Sequence, residues 1–189
     1  KRGFSFINIP TTCLAMADAS VGGKTGIDYH NYKNHIGTFT EPDGVFIYPA
    51  FCKTQSKREV INGMAEVLKA GFIADNQLAK DVVDHHKKGN ENEFASLLKQ
   101  SVIIKNTIVE IDPKEKNIRK SLNFGHTIGH AIESFYLTNK NRLLHGEAIA
   151  IGMICESYIA LKLNFLSEKD FLFVEDSILH LFKKIKLDP

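Results

Sequence analysis

Residues Leu122-Asn123-Phe124-Gly125-His126-Thr127-Ile128-Gly129-His130-Ala131-Ile132-Glu133 constrain this chain more than any other stretch. On a helix, His126 and His130 are four residues apart and project from one face. Gly125 and Gly129 flank them and permit close approach of another backbone. A third histidine follows in His145-Gly146-Glu147, and upstream Glu66 and Lys69 stand in the segment Asn62–Lys69. Imidazoles plus one carboxylate are the ligand set of a catalytic zinc or similar divalent ion, so metal-assisted chemistry is expected. Spacing alone leaves open whether His126 or His130 is the ligand.

The surroundings of this segment read as helical. Ser56-x-x-Glu59 is a capping box opening a helix to about Ala74, with Asn62, Glu66, Lys69 and Ile73 on one face. A second helix is expected over roughly 93–110, and two more near 146–162 and 167–185. Asp112-Pro113-Lys114-Glu115 offers an N-cap, a proline at the first position and an acid at the third. The helix expected to follow carries Arg119, Asn123, His126, His130 and Glu133 in one stripe, with Phe124, Ile128, Ile132 and Phe135 opposite. Before residue 55 the signals are mixed. Phe4 to Ile9 alternates like a half-buried strand, Val45–Tyr48 is a second short apolar run, and a short helical stretch and the loop Val21–Gly26 lie between them. Lys1 in place of Met, running straight into a strand, suggests a chain cut from a longer protein.

Composition removes several function classes. The 189 residues are 43% hydrophobic with a net charge of +2, and no dense Lys/Arg face recurs, so nucleic acid is not an expected partner. No apolar run reaches membrane-spanning length and no signal peptide opens the chain. Cys13, Cys52 and Cys155 lie far apart, which fits a reducing, cytoplasmic setting. Gly22-Gly23-Lys24-Thr25 matches the end of a P-loop, but the glycine required five residues before Gly23 is Asp18, which argues against a nucleoside triphosphatase. Its amides and lysine still suit a phosphate or carboxylate. Blander readings stand beside each feature: the His stripe as a solvent face, Glu66 and Lys69 as a surface ion pair, Lys105 as a snorkelling side chain, and His85-His86-Lys87-Lys88-Gly89 as a solvated helix end.

Pro10–Thr12, Asp18–Gly26, Lys33–Gly37, Arg58-Glu59, Gly63–Lys69, Leu122–Glu133 and His145–Ala148 resemble 3-dehydroquinate synthase, in order and at matching spacing, from about residue 2 to residue 160. The resemblance implies a mainly α fold: residues 56–189 as a helical metal- and substrate-binding domain, and residues 1–55 as the last strands of an upstream α/β nucleotide-binding domain. The family's Gly-rich pyrophosphate loop and a lysine near its C-terminus fall outside this sequence, so the chain is expected to be inactive alone. The segment Ser134–Leu144 is slightly longer than usual in the family.

By the same resemblance, Glu66, His126 and His145 are the metal ligands, and His130 becomes a substrate-phosphate or proton-transfer group. Lys24, Lys69, Lys105, Arg119 and Asn123 match substrate-contacting positions, and Asn34 matches another active-site residue. Thr11, Thr12, Asp18, Lys24, Lys33, Phe51, Cys52, Lys53 and Thr54 match positions near NAD. The implied reaction converts 3-deoxy-D-arabino-heptulosonate 7-phosphate to 3-dehydroquinate and phosphate, in the shikimate route to chorismate and the aromatic amino acids. It uses NAD and one divalent ion, zinc or cobalt, in an enzyme expected to be a homodimer. Arg119 suits the substrate carboxylate through bidentate hydrogen bonds. The alternatives are a sister sugar-phosphate cyclase, a non-catalytic metal-binding helical module and, more distantly, the iron-dependent alcohol dehydrogenase group.

Overall fold

The computed structural model describes residues 4–29, 32–136 and 142–183, and of residues 28 and 32–35 the backbone alone. Its centre is α1 (Lys57–Ala74), in which every residue from Asn62 to Gly71 is buried. A helix covered on all sides must sit inside a layer of others. Here these are α2 (Asn76–Lys88), α3 (Glu91–Ile111), α5 (His145–Lys162) and α6 (Glu168–Phe182), with α4 (His126–Tyr136) packed along α5. Val67, Leu68, Leu78, Leu98, Ile149, Met153 and Ile178 fill the core. The expected mainly helical architecture is therefore present.

The helix boundaries follow from local chemistry. Ser56 Oγ accepts the Glu59 amide at 3.2 Å, the N-terminal half of the expected capping box. α3 opens on a complete box at Asn90 and Glu93, which lies just ahead of the expected start. His85, expected at a solvated helix end, instead lies on Phe94, with ring centroids 5.9 Å apart and planes 28° from parallel.

The N-terminal segment holds little regular structure. β1 shortens to Ile7–Asn8 and pairs in parallel with β4 (Gly44–Val45). Phe4, Ile7, Ile9, Phe46 and Tyr48 on these segments are all more than half exposed. A π-helical turn covers Ala15–Ala19. The loop expected over Val21–Gly26 ends at Gly23: from Lys24 the chain forms an antiparallel hairpin, β2 (Lys24–Tyr29) with β3 (Tyr32–Phe39), that the sequence pattern did not announce.

The largest departure from expectation lies at the histidine stripe. The stripe from Arg119 to Glu133 is not one helix: Asp112–Asn117 is a turn, Ile118–Asn123 a 3-10 helix, and α4 begins only at His126. The break is Gly125 at φ +79°, where a side chain would also run into Met153 and the Ile149 carbonyl of α5. Gly152 answers it, since a Cβ there would meet the Gly125 carbonyl oxygen. Phe135, expected on the apolar face, is 70% exposed.

Asp112 does cap, but it caps a loop. Its carboxylate accepts the amides of Lys116 (2.9 Å), Asn117 (2.6 Å) and Arg119 (3.1 Å). Desolvation would raise its pKa, but those amides and the Arg119 charge outweigh it and hold the carboxyl below the usual range. A carboxyl depressed on folding adds stability above its unfolded pKa, and that stability is lost as pH falls through the folded value. Asp112→Asn should therefore lower the urea midpoint at pH 7, and the gap to the parent should close as pH drops below about 4. A gap unchanged down to pH 3 would mean that Asp112 does not hold this loop through its charge.

Candidate metal centre and substrate cavity

Three helices bring the expected ligands together. Glu66 comes from the middle of α1, His126 from the first residue of α4 and His145 from the first residue of α5. Glu66 Oε1 lies 3.8 Å from His126 Nε2 and 3.6 Å from His145 Nε2. Two atoms bound tetrahedrally to one zinc at ~2.1 Å stand roughly 3.4 Å apart, so these separations fit a shared ion after small adjustments. His145 is anchored from α1: the Asn62 side-chain oxygen accepts the Gly146 amide at 2.5 Å, and Arg58 forks onto Glu147 at 2.7 and 2.8 Å.

The imidazoles are oriented by their other nitrogens. His126 Nδ1 lies 3.2 Å from the Phe124 carbonyl and His145 Nδ1 lies 3.1 Å from Glu133 Oε2. Those acceptors assign the proton to Nδ1 and turn Nε2 toward Glu66, the tautomer of a metal-ligating histidine. Glu133 was legible only as a member of the polar stripe; its hydrogen bond to His145 gives it a positioning task.

Glu66 supplies the clearest sign of a cation-binding site. The residue is 2% exposed, and among the described residues neither carboxylate oxygen accepts a well-directed hydrogen bond. Lys69 Nζ makes a charge contact with Oε2 at 2.5 Å. Both partners are buried, which removes the reading of this pair as surface decoration. Burial alone would raise the Glu66 pKa, but Lys69 first, then His145 and His126, drive it well below the carboxylate range. Burial and the Lys69 charge lower His126 to about 4. Burial would lower His145 too, but the carboxylates of Glu133 and Glu66 prevail and raise it to about 9. His130, Glu133 and His145 form a second metal-capable trio. There the carboxylate is already bonded to His145, so the unsatisfied Glu66 oxygens favour the first trio.

These groups open onto a cavity of about 580 Å³ lined by Lys24, Lys69, Lys105, Arg119, Asn123, His126, His130 and His145, with Asp18 at one side. The cations and candidate substrate groups of the sequence reading thus share one chamber, and each is engaged. Lys105 donates to the Asp18 carbonyl at 2.5 Å and its carboxylate at 2.6 Å, so it is a cavity group and not a snorkelling one. Lys24 pairs with Glu115, which also accepts from the Asn123 side chain at 2.5 Å. Burial would raise the Glu115 pKa, but Lys24 and Asn123 hold it low. The His130 ring centroid lies 5.0 Å from that of His126 and 5.8 Å from that of His145.

The positions expected near NAD are less concentrated. Asp18 and Lys24 line the cavity. Thr11, Thr12, Phe51, Lys53 and Thr54 are exposed outside its lining, and Cys52 is buried with its thiol 3.8 Å from Met16 Sδ. The side chains of Lys33 and Asn34 lie outside the described residues, although their backbone belongs to β3.

Arg119 carries a larger structural load than its sequence position implied. It is 2% exposed, and its guanidinium donates to the Gly22 carbonyl at 2.6 Å and the Pro113 carbonyl at 2.7 Å. Removing two charge-assisted bonds leaves the carbonyl of buried Gly22 unsatisfied and frees that of exposed Pro113 to water, so Arg119→Ala should cost roughly 2–4 kcal/mol of unfolding free energy in urea. A cost below about 0.5 kcal/mol, typical of surface changes, would reduce Arg119 to a cavity side chain with no hold on these loops.

Comparison with known proteins agrees with this geometry. The family models described as 3-dehydroquinate synthase N-terminal and C-terminal match residues 1–62 and 63–188. The 3-dehydroquinate synthase of Ruminiclostridium cellulolyticum is 44% identical, over 98% of this chain and 52% of its own length. That of Helicobacter pylori (strain G27) is 46% identical, again over 98% of this chain and 52% of its own. The chain thus spans about half the length of the curated relatives it matches. Among solved structures, 2-epi-5-epi-valiolone synthase from Streptomyces hygroscopicus with NAD+ and Zn2+ bound superposes with a TM-score of 0.87 at 28% identity, covering 100% of this chain and 52% of that one. A 2-deoxy-scyllo-inosose synthase complexed with carbaglucose-6-phosphate, NAD+ and Co2+ gives 0.79 at 28% identity, covering 96% and 55%. With the two family models together matching residues 1–188 and relatives above 40% identical over 98% of this chain, the chain belongs to the 3-dehydroquinate synthase family.

Proposed function

We propose that this chain supplies the metal- and substrate-binding share of a 3-dehydroquinate synthase, a phosphate-eliminating cyclase of the carbon–oxygen lyase class that acts on 3-deoxy-D-arabino-heptulosonate 7-phosphate in the cytoplasm. The observation that carries the reading is the buried Glu66 carboxylate, which among the described residues accepts no well-directed hydrogen bond and faces two Nε2 atoms on the wall of a lysine-lined cavity. Glu66, His126 and His145 would hold one zinc or cobalt ion. Such an ion would polarise a hydroxyl or carbonyl oxygen as a Lewis acid, and NAD would accept a hydride from the substrate and later return it.

The remaining work falls to the chain itself. Lys69 holds the Glu66 carboxylate and presents its charge to the cavity, where it suits a substrate oxygen. Lys24, Lys105 and Asn123, already held by Glu115 and Asp18, are poised to exchange those carboxylates for the carboxylate or phosphate of a substrate. His130 borders the same space as the two ligand histidines and is suited to hold phosphate or move a proton there. Asp18 and Lys24 would meet the cofactor at the cavity, and Thr11, Thr12 and residues 51–54 would border it from outside. Lys33 and Asn34 keep the roles the resemblance implies. The apolar Ile27–Ile36 pair exposed on the hairpin supports assembly as a homodimer.

A sister cyclase is the second reading, favoured by the two solved neighbours. The identity of 44% and 46% to named 3-dehydroquinate synthases supports the first. Glu66→Gln, His126→Ala and His145→Ala should each abolish tight zinc binding in a competition titration, whereas His130→Ala should retain it. The zinc-loaded chain should be stabilised against heat by the heptulosonate phosphate more than by carbaglucose-6-phosphate, which has no carboxylate. By itself it should release no phosphate from the heptulosonate when NAD is added. Zinc retention by all three ligand variants sinks the metal centre, and preference for carbaglucose-6-phosphate selects the sister reading.

A further inference from the structure

The two candidate ligand histidines are held differently. His145 Nδ1 meets a carboxylate directly, at Glu133. His126 Nδ1 meets a peptide carbonyl, that of Phe124. A neutral carbonyl is the weaker acceptor, and what stands behind it decides how firmly the ring is fixed.

What stands behind it is Glu156. The Phe124 carbonyl and the Gly125 amide belong to one peptide unit, and that amide donates to Glu156 Oε2 at 2.7 Å. The other carboxylate oxygen accepts the Ile128 amide at 3.3 Å. Glu156 lies on α5, one helical repeat beyond Ile149 and one turn beyond Gly152 and Met153, the residues that meet the start of α4. Among the described residues it forms no salt bridge, so its charge is directed at backbone amides.

α4 needs this outside help. Its first turn leaves amide groups without helical partners, and a side-chain oxygen at the N-cap ordinarily takes one. The N-cap position is Gly125, which has none. The left-handed φ and the crowding against Met153 and Ile149 exclude a longer residue there. A carboxylate from the facing helix satisfies the N-cap and third-position amides together, and its charge suits the positive end of the helix dipole.

We infer that Glu156 is a positioning residue for the metal centre, acting through the Phe124–Gly125 peptide to fix His126. The chain of contacts runs from the Glu156 carboxylate to the Gly125 N–H, through the peptide to the Phe124 carbonyl, and on to the Nδ1–H of His126, whose Nε2 faces Glu66. Hydrogen bonds in series polarise one another, so a negative charge on the amide side strengthens the carbonyl as an acceptor. The result is a carboxylate–histidine pair with a peptide interposed, beside the direct pair of Glu133 and His145. Outer partners of this kind set ligand orientation and basicity. The inference rests on the metal-centre reading above.

The test is cobalt(II) binding to the purified chain, followed by its visible ligand-field absorption and by competition for affinity. Glu156→Ala should weaken cobalt about 10–100-fold and alter the spectrum. Glu156→Gln keeps the volume but loses the charge and one acceptor, so it should fall between Ala and the parent, and it carries the test if the Ala variant does not fold. Ser167→Ala, which removes the cap of distant α6, controls for general destabilisation and should leave affinity and spectrum unchanged. Parent-like affinity and spectrum in the Glu156 variants, with cobalt lost in His126→Ala, overturn the role of Glu156 alone. Cobalt retained in His126→Ala overturns the metal-centre reading and this inference with it.

Discussion

The Glu66 carboxylate inside the helical core is the element on which the rest of the structure depends. An ionised carboxylate withdrawn from water costs several kcal/mol unless charge and hydrogen bonds replace its hydration. Here charge is present, and among the described residues no well-directed hydrogen bond joins it. Lys69, one turn along α1, takes one oxygen, and His145 Nε2 stands 3.6 Å from the other. Glu133 holds the far nitrogen of His145 in turn, so two carboxylates, a lysine and an imidazole form one compact cluster. The cluster persists because α1 is buried throughout its middle, which leaves Glu66 no path to solvent.

Bringing two histidines to that carboxylate requires backbones to come closer than ordinary side chains allow. α4 and α5 meet where Gly125, Gly129 and Gly152 face each other's main chain, and α5 meets α1 where Gly146 sits against Asn62. His126 and His145 each occupy the first position of their helix, next to one of these contacts. Ligand geometry is thus set by helix starts, which are held by polar contacts from neighbouring helices: Asn62 and Arg58 from α1 for α5, Glu156 from α5 for α4. The substrate side is built otherwise. The lysines and Asn123 come from a hairpin, a 3-10 turn and two helices, and the loops between are tied by Arg119 and Asp112.

Much of this could be read from residue order. The Ser56 cap, the apolar period of α3 and the identity of the converging side chains all have local signals. The helix expected through Arg119–Glu133 failed because its polar period continues across Gly125, while the break is imposed by α5 packing at φ +79°. Steps of four and three place residues on a shared face, but they carry no information about a distant Gly152 backbone. The same limit hid the parts played by Glu156, Glu115 and Asn62, whose partners lie between 8 and 84 residues away. The β2–β3 hairpin escaped notice because its described side chains, Ile27, Tyr29, Ile36 and Phe39 included, are exposed, so no buried face marks it in the sequence. Spacing left the choice between His126 and His130 open and the family resemblance favoured His126; in the structure His126 and His145 turn their Nε2 atoms toward Glu66.

The central claim is that one divalent ion belongs between Glu66, His126 and His145. An anomalous-difference map at the zinc edge, from crystals of this chain grown with zinc, tests it directly. The account predicts one dominant peak within about 2.0–2.2 Å of Glu66 Oε1 and the Nε2 atoms of both histidines. A dominant peak among His130, Glu133 and the Nδ1 side of His145, or no ordered zinc near Glu66, would contradict it.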